Sequence, residues 1–337
     1  MSLNKKAVAL LSGGLDSTLA VKLMIDQGID VTAVHFTSVF CNCSPKMAGC
    51  KMHARQVAEE FGVPIHVIHK GMDYIKMVEN PPHGHGSAIN ACIDCRIYML
   101  RKVKEMMPEM DASFVITGEV LGQRPMSQQR HTIRLIEKES GLQDLILRPL
   151  SAQHFDPTLP EREGIVDRDK LLNISGRGRK EQFALADDLG VKDYPCPAGG
   201  CLLTDKVIAA RLRDLFDHTP DYNHTDLVLL TIGRHYRLFP DLKIILGRKQ
   251  EENERLFSLA KDGQSICEPD DFRGPAILAA GRLDEERERM IGAMIASHSQ
   301  DTKPSYRVKK TTYPDGHSIL FDVQRKPRET WDAFRLG

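Results

Sequence analysis

Six residues, Ser12-Gly13-Gly14-Leu15-Asp16-Ser17, combine the groups that a phosphate chain needs. The glycines allow close backbone approach, the serines add hydroxyl donors, and Asp16 can hold a metal ion or orient a nucleotide. A second set is sulfur: Cys92-Ile93-Asp94-Cys95, with Cys196 and Cys201 downstream in YPCPAGGCLLTD. Thiols three residues apart share one face of a helix, and a helix N-terminal turn favours the thiolate. Such a pair suits a redox dithiol, half of a zinc site or a cluster site, and the spacing alone does not choose among them. Gly199-Gly200 lets the chain fold closely around whatever Cys201 holds. A third group, Cys41, Cys43, Cys50 and His53, has the composition of a zinc site or, equally, of small buried side chains. Cys267 stands alone and reads as structural.

The elements around these residues form one pattern. An apolar run, Ala7 to Leu11, ends in the two glycines. A helix then opens at Asp16-Ser17, with Leu19, Ala20, Leu23 and Met24 on one face and Gly28 as its stop. Free N–H groups and the positive helix end therefore point into the glycine turn. Val31 to Phe36, Ile65 to Ile68, Phe114 to Thr117 and Leu145 to Leu147 read as further strands. Helices are expected with Ala54, Val57, Ala58 and Phe61 on one face, and from Cys92 to Met107. Alternating strands and helices predict a parallel sheet covered on both faces, with ligands at the strands' carboxyl ends. Thr117-Gly118-Glu119, after the fourth strand, is either a ligand-side loop in which Gly118 keeps room or a simple turn. Phe36, ending the second, is a candidate adenine neighbour and equally a core residue. Gln123, Arg124, Ser127 and Gln128 lie in a long polar loop and are candidates for phosphate or base contact. His83 and His85 are candidate ligands or plain loop residues.

After Thr204 the pattern restarts. Leu227 to Ile232, Ile244 to Leu246 and Ala276 to Ala279 read as strands, Glu251 to Leu259 and Asp284 to Ile295 as helices, and a polar tail follows. We therefore expect two domains, 1–205 for catalysis and 206–337 as a smaller α/β domain. The chain has 337 residues, 41% apolar and 27% charged, and 46 basic side chains balance 46 acidic ones. Bulk charge thus announces no nucleic-acid partner. From Thr302 onward, however, eight Lys and Arg face four Asp and Glu, and Arg177, Arg179 and Lys180 form a second basic group. Either suits a phosphate backbone or a solvated surface. No stretch approaches the ~18 apolar residues of a membrane span. The first strand begins almost at once, so a cytoplasmic protein without a membrane partner is expected, its cysteines serving as ligands or catalytic thiols.

The loop is not G-x-x-x-x-G-K-[ST]. It resembles the SGG-x-DS loop of the PP-loop ATP pyrophosphatases, the adenine nucleotide alpha hydrolases, which have a HUP-like parallel sheet. INACIDCR, TGEVLGQRPMSQ, ILRPLSA and PAGGCLLTD resemble blocks of the tRNA-thiolating branch, related to tRNA 4-thiouridine synthetase and tRNA 2-thiouridylase. The C-terminal half is similar to an NFACT-type RNA-binding domain. Ala91 departs from the proline expected at the helix entry. The resemblance implies ATP and Mg²⁺ bound at Ser12, Gly13, Gly14, Asp16 and Ser17, with Phe36 and Gly118 nearby and Asp16 also catalytic. It implies adenylation of a uridine carbonyl and its replacement by sulfur, giving 4-thiouridine or 2-thiouridine. It also implies Cys92, Cys95 and Cys201 as catalytic residues holding a [4Fe-4S] cluster by three irons, the fourth being free for sulfide. Cys196 is the alternative third ligand. A cluster-free variant has a persulfide on Cys201 resolved by Cys95, and a redox-dithiol or zinc role for the cysteine pair remains open. The implied partners are tRNA, a sulfide or persulfide donor and a second copy in a homodimer. With the loop so near the N-terminus, RNA capture is expected of the C-terminal domain or a partner subunit. The rival reading is adenylation of a small molecule for amide, nitrile or cofactor-sulfur formation; a third is an RNA-binding protein with a relic nucleotide site.

Overall fold

The computed structural model describes residues 3–41, 50–192 and 200–337, the side chains of residues 50 and 51 excepted. The chain divides into two compact units, Met1–Thr204 and Asp205–Gly337. The first contains β1 (Lys6–Leu10), α1 (Leu15–Asp26), β2 (Asp30–Thr37), α2 (Cys50–Glu60), β3 (Ile65–His69) and α3 (Met72–Glu79). It continues with α4 (Cys92–Met106), β4 (Phe114–Thr117), α5 (Arg130–Ser140), β5 (Ile146–Leu147), α6 (Leu159–Arg162) and α7 (Lys180–Asp188).

The five strands are all parallel, in the order β3-β2-β1-β4-β5. Alternation along β1 fills both faces. Ala7, Ala9 and Leu11 join Val21 and Met24 of α1 and Val57 of α2, whereas Val8 and Leu10 join Ile97, Leu100 and Val103 of α4. A strand buried on both faces must be apolar throughout, which is why β1 reads as a continuous apolar run. The chain leaves β1 toward β2 on one side and β4 toward β5 on the other. The order therefore reverses between β1 and β4, and the crevice at their carboxyl ends is where such sheets bind ligands.

The second unit contains α8 (Lys206–His218), α9 (His224–Leu229), β6 (Arg234–Phe239), β7 (Leu242–Leu246), α10 (Gln250–Leu259) and β8 (Gln264–Pro269). Then come β9 (Ile277–Ala280), α11 (Glu285–Ser297), β10 (Tyr306–Thr312) and β11 (His317–Val323). Its six-stranded sheet runs β11-β10-β8-β9-β7-β6, antiparallel throughout. Ile244 and Ile277 face α11, while Ile245 and Leu278 face α9 and α10.

Two segments differ from the sequence expectation. Leu227–Ile232 is not a strand: Asn223 caps a helix by accepting from Thr225 and Asp226 N–H, and Asp226 accepts from Asn223 N–H. That reciprocal cap starts α9, and a short apolar run cannot tell helix from strand without it. The polar tail contains the β10–β11 hairpin. There Lys303 pairs with Asp271, Arg307 with Asp322, Lys309 with Glu268 and Lys310 with Glu288, so half of its basic side chains have acidic partners. Among the described residues no helix is long and apolar enough to cross a membrane.

Candidate active site

The turn after β1 lies at the sheet's reversal point. Gly13 has φ +76°, and Gly14 is the N-cap of α1. Ser17 Oγ donates to Gly14 O at 2.9 Å, lies 3.0 Å from Ser12 Oγ and accepts from Ser12 N–H at 3.2 Å; Thr18 N–H donates to Gly14 O at 3.1 Å. The two serine hydroxyls thus brace the loop. Asp16, in the first helical turn, accepts from Gln123 Nε2 at 2.7 Å on Oδ2, with Arg179 at 3.7 Å. Its Oδ1 is buried without a hydrogen-bond partner among the described residues, an arrangement whose desolvation cost calls for a ligand.

Gly118 is required by packing. A Cβ there would stand 2.5 Å from Ser17 N and 2.6 Å from the Asp16 carbonyl. Only glycine lets the exit of β4 lie against the first turn of α1. The next residue, Glu119, is fully buried and meets Arg148 Nε at 3.1 Å, Arg96 Nε at 3.3 Å and Thr117 Oγ1 at 3.2 Å. Burial alone would raise its pKa, but Arg96 and Arg148 hold the carboxyl below its ordinary value. Phe36 is half-buried in the apolar cluster that includes Leu10, Ile68 and Ile93.

Cys92 and Cys95 open α4 on one helical turn. Cys201 lies in an isolated bridge and is followed by a 3-10 turn, Leu202–Thr204, that ties it beside the entry to α4. Leu202 N–H donates to Phe40 O at 2.9 Å, and Ile89 N–H, just before α4, donates to Leu203 O at 3.1 Å. Tyr74 OH donates to Cys95 Sγ at 3.5 Å, and Lys70 Nζ lies 3.6 Å from the same sulfur and 4.2 Å above the Tyr74 ring. Burial first, then the charges of Cys95, Cys201 and Cys92, push the Tyr74 hydroxyl well above its ordinary value. Of the three thiols, Cys95 is the one in contact with the phenol. Burial of the thiol, with Cys95 and Cys41 adding to it, pushes Cys201 up to about 11, although the residue as a whole is exposed. Among the described residues no three His, Cys, Asp or Glu side chains close to metal-binding distance.

The segment from Gln123 to Met126 joins the two sets. Gln123 holds Asp16, and Gln182 Nε2 donates to Gln123 Oε1 at 3.3 Å. Asn90 Nδ2 donates to Cys92 Sγ at 3.1 Å and lies 3.3 Å from Met126 Sδ. Arg124 feels both ends: burial, Arg96 and Arg179 lower its pKa, and Cys92 and Asp16 oppose them. Ser127 and Gln128 are buried.

Other candidates fall elsewhere. His83 bonds Asp94 at 2.8 Å and Glu139 at 3.1 Å, and His85 Nε2 donates to Val78 O at 2.7 Å, so both brace the chain around α4. Arg179 belongs to Asp16 rather than to an outer basic surface. Cys41 lies opposite Cys201 in an isolated antiparallel bridge. Cys43 and Cys196 are outside the described residues, as is the Cys50 side chain; among the described residues no metal-binding group includes Cys41 or His53. Lys70 and Tyr74 escaped the sequence reading; Asn90, Glu119 and Arg148 lay inside the blocks INACIDCR, TGEVLGQRPMSQ and ILRPLSA without being given a role of their own.

Residues 2–156 match the family described as thiamine biosynthesis protein (ThiI), and residues 233–335 match the NFACT protein RNA binding domain. The "Probable tRNA sulfurtransferase" of Methanosarcina acetivorans is 30% identical over 135 residues, covering 34% of this chain and 28% of that protein. The tRNA-specific 2-thiouridylase MnmA of Clostridium acetobutylicum is 28% identical over 213 residues, covering 55% of this chain and 57% of that one. The chain thus spans well under two thirds of either relative. Among solved structures, a 4-thiouridine synthetase–RNA complex with bound ATP superposes with TM-score 0.36 at 23% identity, over 55% of this chain and 51% of that one. The U34-tRNA thiolase NcsA from Methanococcus maripaludis, with its [4Fe-4S] cluster, gives 0.33 at 16%, over 67% and 71%. Residues 2–156 are thus similar to the ThiI family, and residues 233–335 to an NFACT-type RNA-binding domain.

Proposed function

We propose that the chain is an ATP-dependent sulfurtransferase that replaces a carbonyl oxygen of a tRNA uridine with sulfur. The observation that carries this reading is the Gln123–Met126 segment, which touches Asp16 in the phosphate loop and shares the Asn90 amide with Cys92. An activating site and a sulfur site adjoin within one unit. The tRNA-thiolating relatives and the RNA-binding domain support tRNA as the substrate class.

The loop from Ser12 to Ser17 takes the ATP phosphates on backbone N–H groups at the start of α1, where the helix dipole favours anions. Asp16 Oδ1, buried and unpartnered, fits a ligand for the Mg²⁺ that accompanies the nucleotide. Arg124, Arg96 and Arg179 supply positive charge as pyrophosphate departs. The uracil carbonyl oxygen attacks the α-phosphorus, pyrophosphate leaves, and the carbon now bears AMP, a far better leaving group. Sulfur then adds to that carbon and AMP departs. Cys92 and Cys95 on one turn of α4, with Cys201 beside the segment that enters it, are thiols of the kind a [4Fe-4S] cluster takes, and holding one would require them to draw closer than they stand here. When bound, such a group supplies an open iron for sulfide. Lys70 Nζ, 3.6 Å from Cys95 Sγ, supplies a positive charge beside that sulfur.

The test incubates the anaerobically purified chain with tRNA, ATP and sulfide, and follows AMP and digested nucleosides by mass spectrometry. Wild type is expected to give AMP and one thionucleoside, whose identity fixes the carbonyl. Asp16→Ala and Cys92→Ser are expected to give neither product while keeping the wild-type circular dichroism. ATP turnover indifferent to tRNA, with no thionucleoside, would overturn the reading in favour of a small-molecule substrate. Full activity in an iron-free preparation would remove the cluster from it.

A further inference from the structure

We infer that Cys41 and Cys201 form a reversible disulfide site. The two residues face each other across an antiparallel bridge, and Leu202 N–H donates to Phe40 O at 2.9 Å just outside the pair. That bond makes Cys41 and Cys201 a non-hydrogen-bonded pair, the type whose side chains come closest, with Cα atoms about 4.5 Å apart. Disulfides span Cα separations of roughly 4.4–6.8 Å, so the bond needs little backbone movement. Both sulfurs are free thiols. The two segments are held from outside: Lys70 N–H donates to Thr37 O at 2.8 Å before Cys41, and Ile89 N–H to Leu203 O at 3.1 Å after Cys201. Cys41 Sγ also accepts from Ser38 N–H at 3.2 Å.

The oxidant is a low-molecular-weight disulfide such as oxidised glutathione. One protein thiolate attacks it, forming a mixed disulfide and expelling one glutathione thiolate. The second protein thiol, on losing its proton, attacks the mixed disulfide and expels the other glutathione. Two protein thiols are oxidised and one disulfide is reduced to two thiols. The consequence follows if Cys201 serves the sulfur site, and so rests on the proposed function. The bond occupies the one site cysteine that α4 does not supply, and a reducing thiol returns it.

The test treats the full-length, metal-free, reduced protein with oxidised glutathione, alkylates it and maps its peptides without reduction. A Cys41–Cys201 cross-link that dithiothreitol reverses is expected. It should be absent from Cys41→Ser, which should retain thiolation under reducing conditions. Cys201 linked instead to Cys95 or to Cys196, or Cys41 to Cys43, overturns the proposal. Mapping needs neither ATP nor tRNA, so the two readings fail separately. A clean Cys41–Cys201 bond with unimpaired iron uptake and thiolation supports the disulfide and overturns the role given to Cys201.

Discussion

Asp16 has two oxygens in unlike surroundings. Oδ2 is held by Gln123 and faces Arg179, whereas Oδ1 is buried with no partner among the described residues. A carboxylate held in one orientation by one oxygen and open at the other is arranged for a cation, and the loop beside it supplies N–H donors for the anion. Asp16→Asn keeps the shape and one acceptor but removes the charge. AMP formation with tRNA and ATP is expected to fall by about 10²-fold, typical of losing one preorganised electrostatic group. The thermal midpoint should hardly move, since the site is built for a ligand rather than for stability. A wild-type rate in this variant would mean that the nucleotide binds elsewhere. Lys70 is the matching group at the sulfur site, a nearly buried side chain whose Nζ lies 3.6 Å from Cys95 Sγ.

The turn after β4 shows what an element must do to place such residues. Glu119 anchors it from below through Arg148 and Arg96, and Gly118 lets it lie against the first turn of α1. Glu119→Ala leaves two arginines facing a buried void and is expected to destabilise the first unit by about 3–5 kcal/mol in urea unfolding followed by circular dichroism. Gly118→Ala drives a methyl into backbone at Asp16 and Ser17. It is expected to cost about 1–3 kcal/mol and also to weaken ATP binding in calorimetry, because the clash displaces the helix end that receives phosphate. Unchanged ATP affinity would separate this turn from the nucleotide site. The strands of this unit were legible because a parallel strand is apolar on both faces and stops at glycine, as Leu11 does before Ser12-Gly13-Gly14. The pairing of Cys92 and Cys95 was legible because a helix relates neighbours by spacing. The approach of Cys41 to Cys201 was not, since it joins segments far apart in the chain with no periodic signal. Lys70 and Tyr74 were invisible for the same reason, each being an ordinary residue on a segment with no motif. The β10–β11 hairpin was missed because half its residues face solvent, and its basic side chains read as tail.

Taken over the whole molecule, the two units answer to pH through oppositely placed histidines. His83, bonded to Asp94 and Glu139, has its pKa raised above 6.5, first by the Asp94 bond. Its contribution to the first unit is present below 6.5 and is lost as pH rises through the raised value. His235 is the reverse case. It is buried, its Nε2–H donates to Leu229 O and Ile232 O, its Nδ1 is unpartnered, and burial with Lys243 and Arg211 holds its pKa well below 6.5. The folded protein refuses a proton that the unfolded chain accepts, so stability is intact above about 6.5 and falls as pH drops below it. One such group contributes a slope of about 1.4 kcal/mol per pH unit. His298, also held low by burial, adds in the same direction. Asp214, kept ionised by Arg237 and Lys243 against its burial, loses stability only in the carboxylate range, well below this window. Trp331 is the sole tryptophan, buried in the second unit with Nε1–H donating to Ser297 Oγ at 3.2 Å, so its fluorescence reports on that unit alone. Urea unfolding followed at Trp331 should show a midpoint that falls steadily from pH 7 to pH 5.5, about one to two pH units within reach of the histidines and above the carboxylates. His235→Gln, which keeps a donor for the two carbonyls, should flatten that slope even if its stability at pH 7 is lower. A wild-type midpoint indifferent to pH across this interval would mean that His235 takes up its proton as readily in the folded as in the unfolded state, and an unflattened slope in the variant would assign the effect to His298.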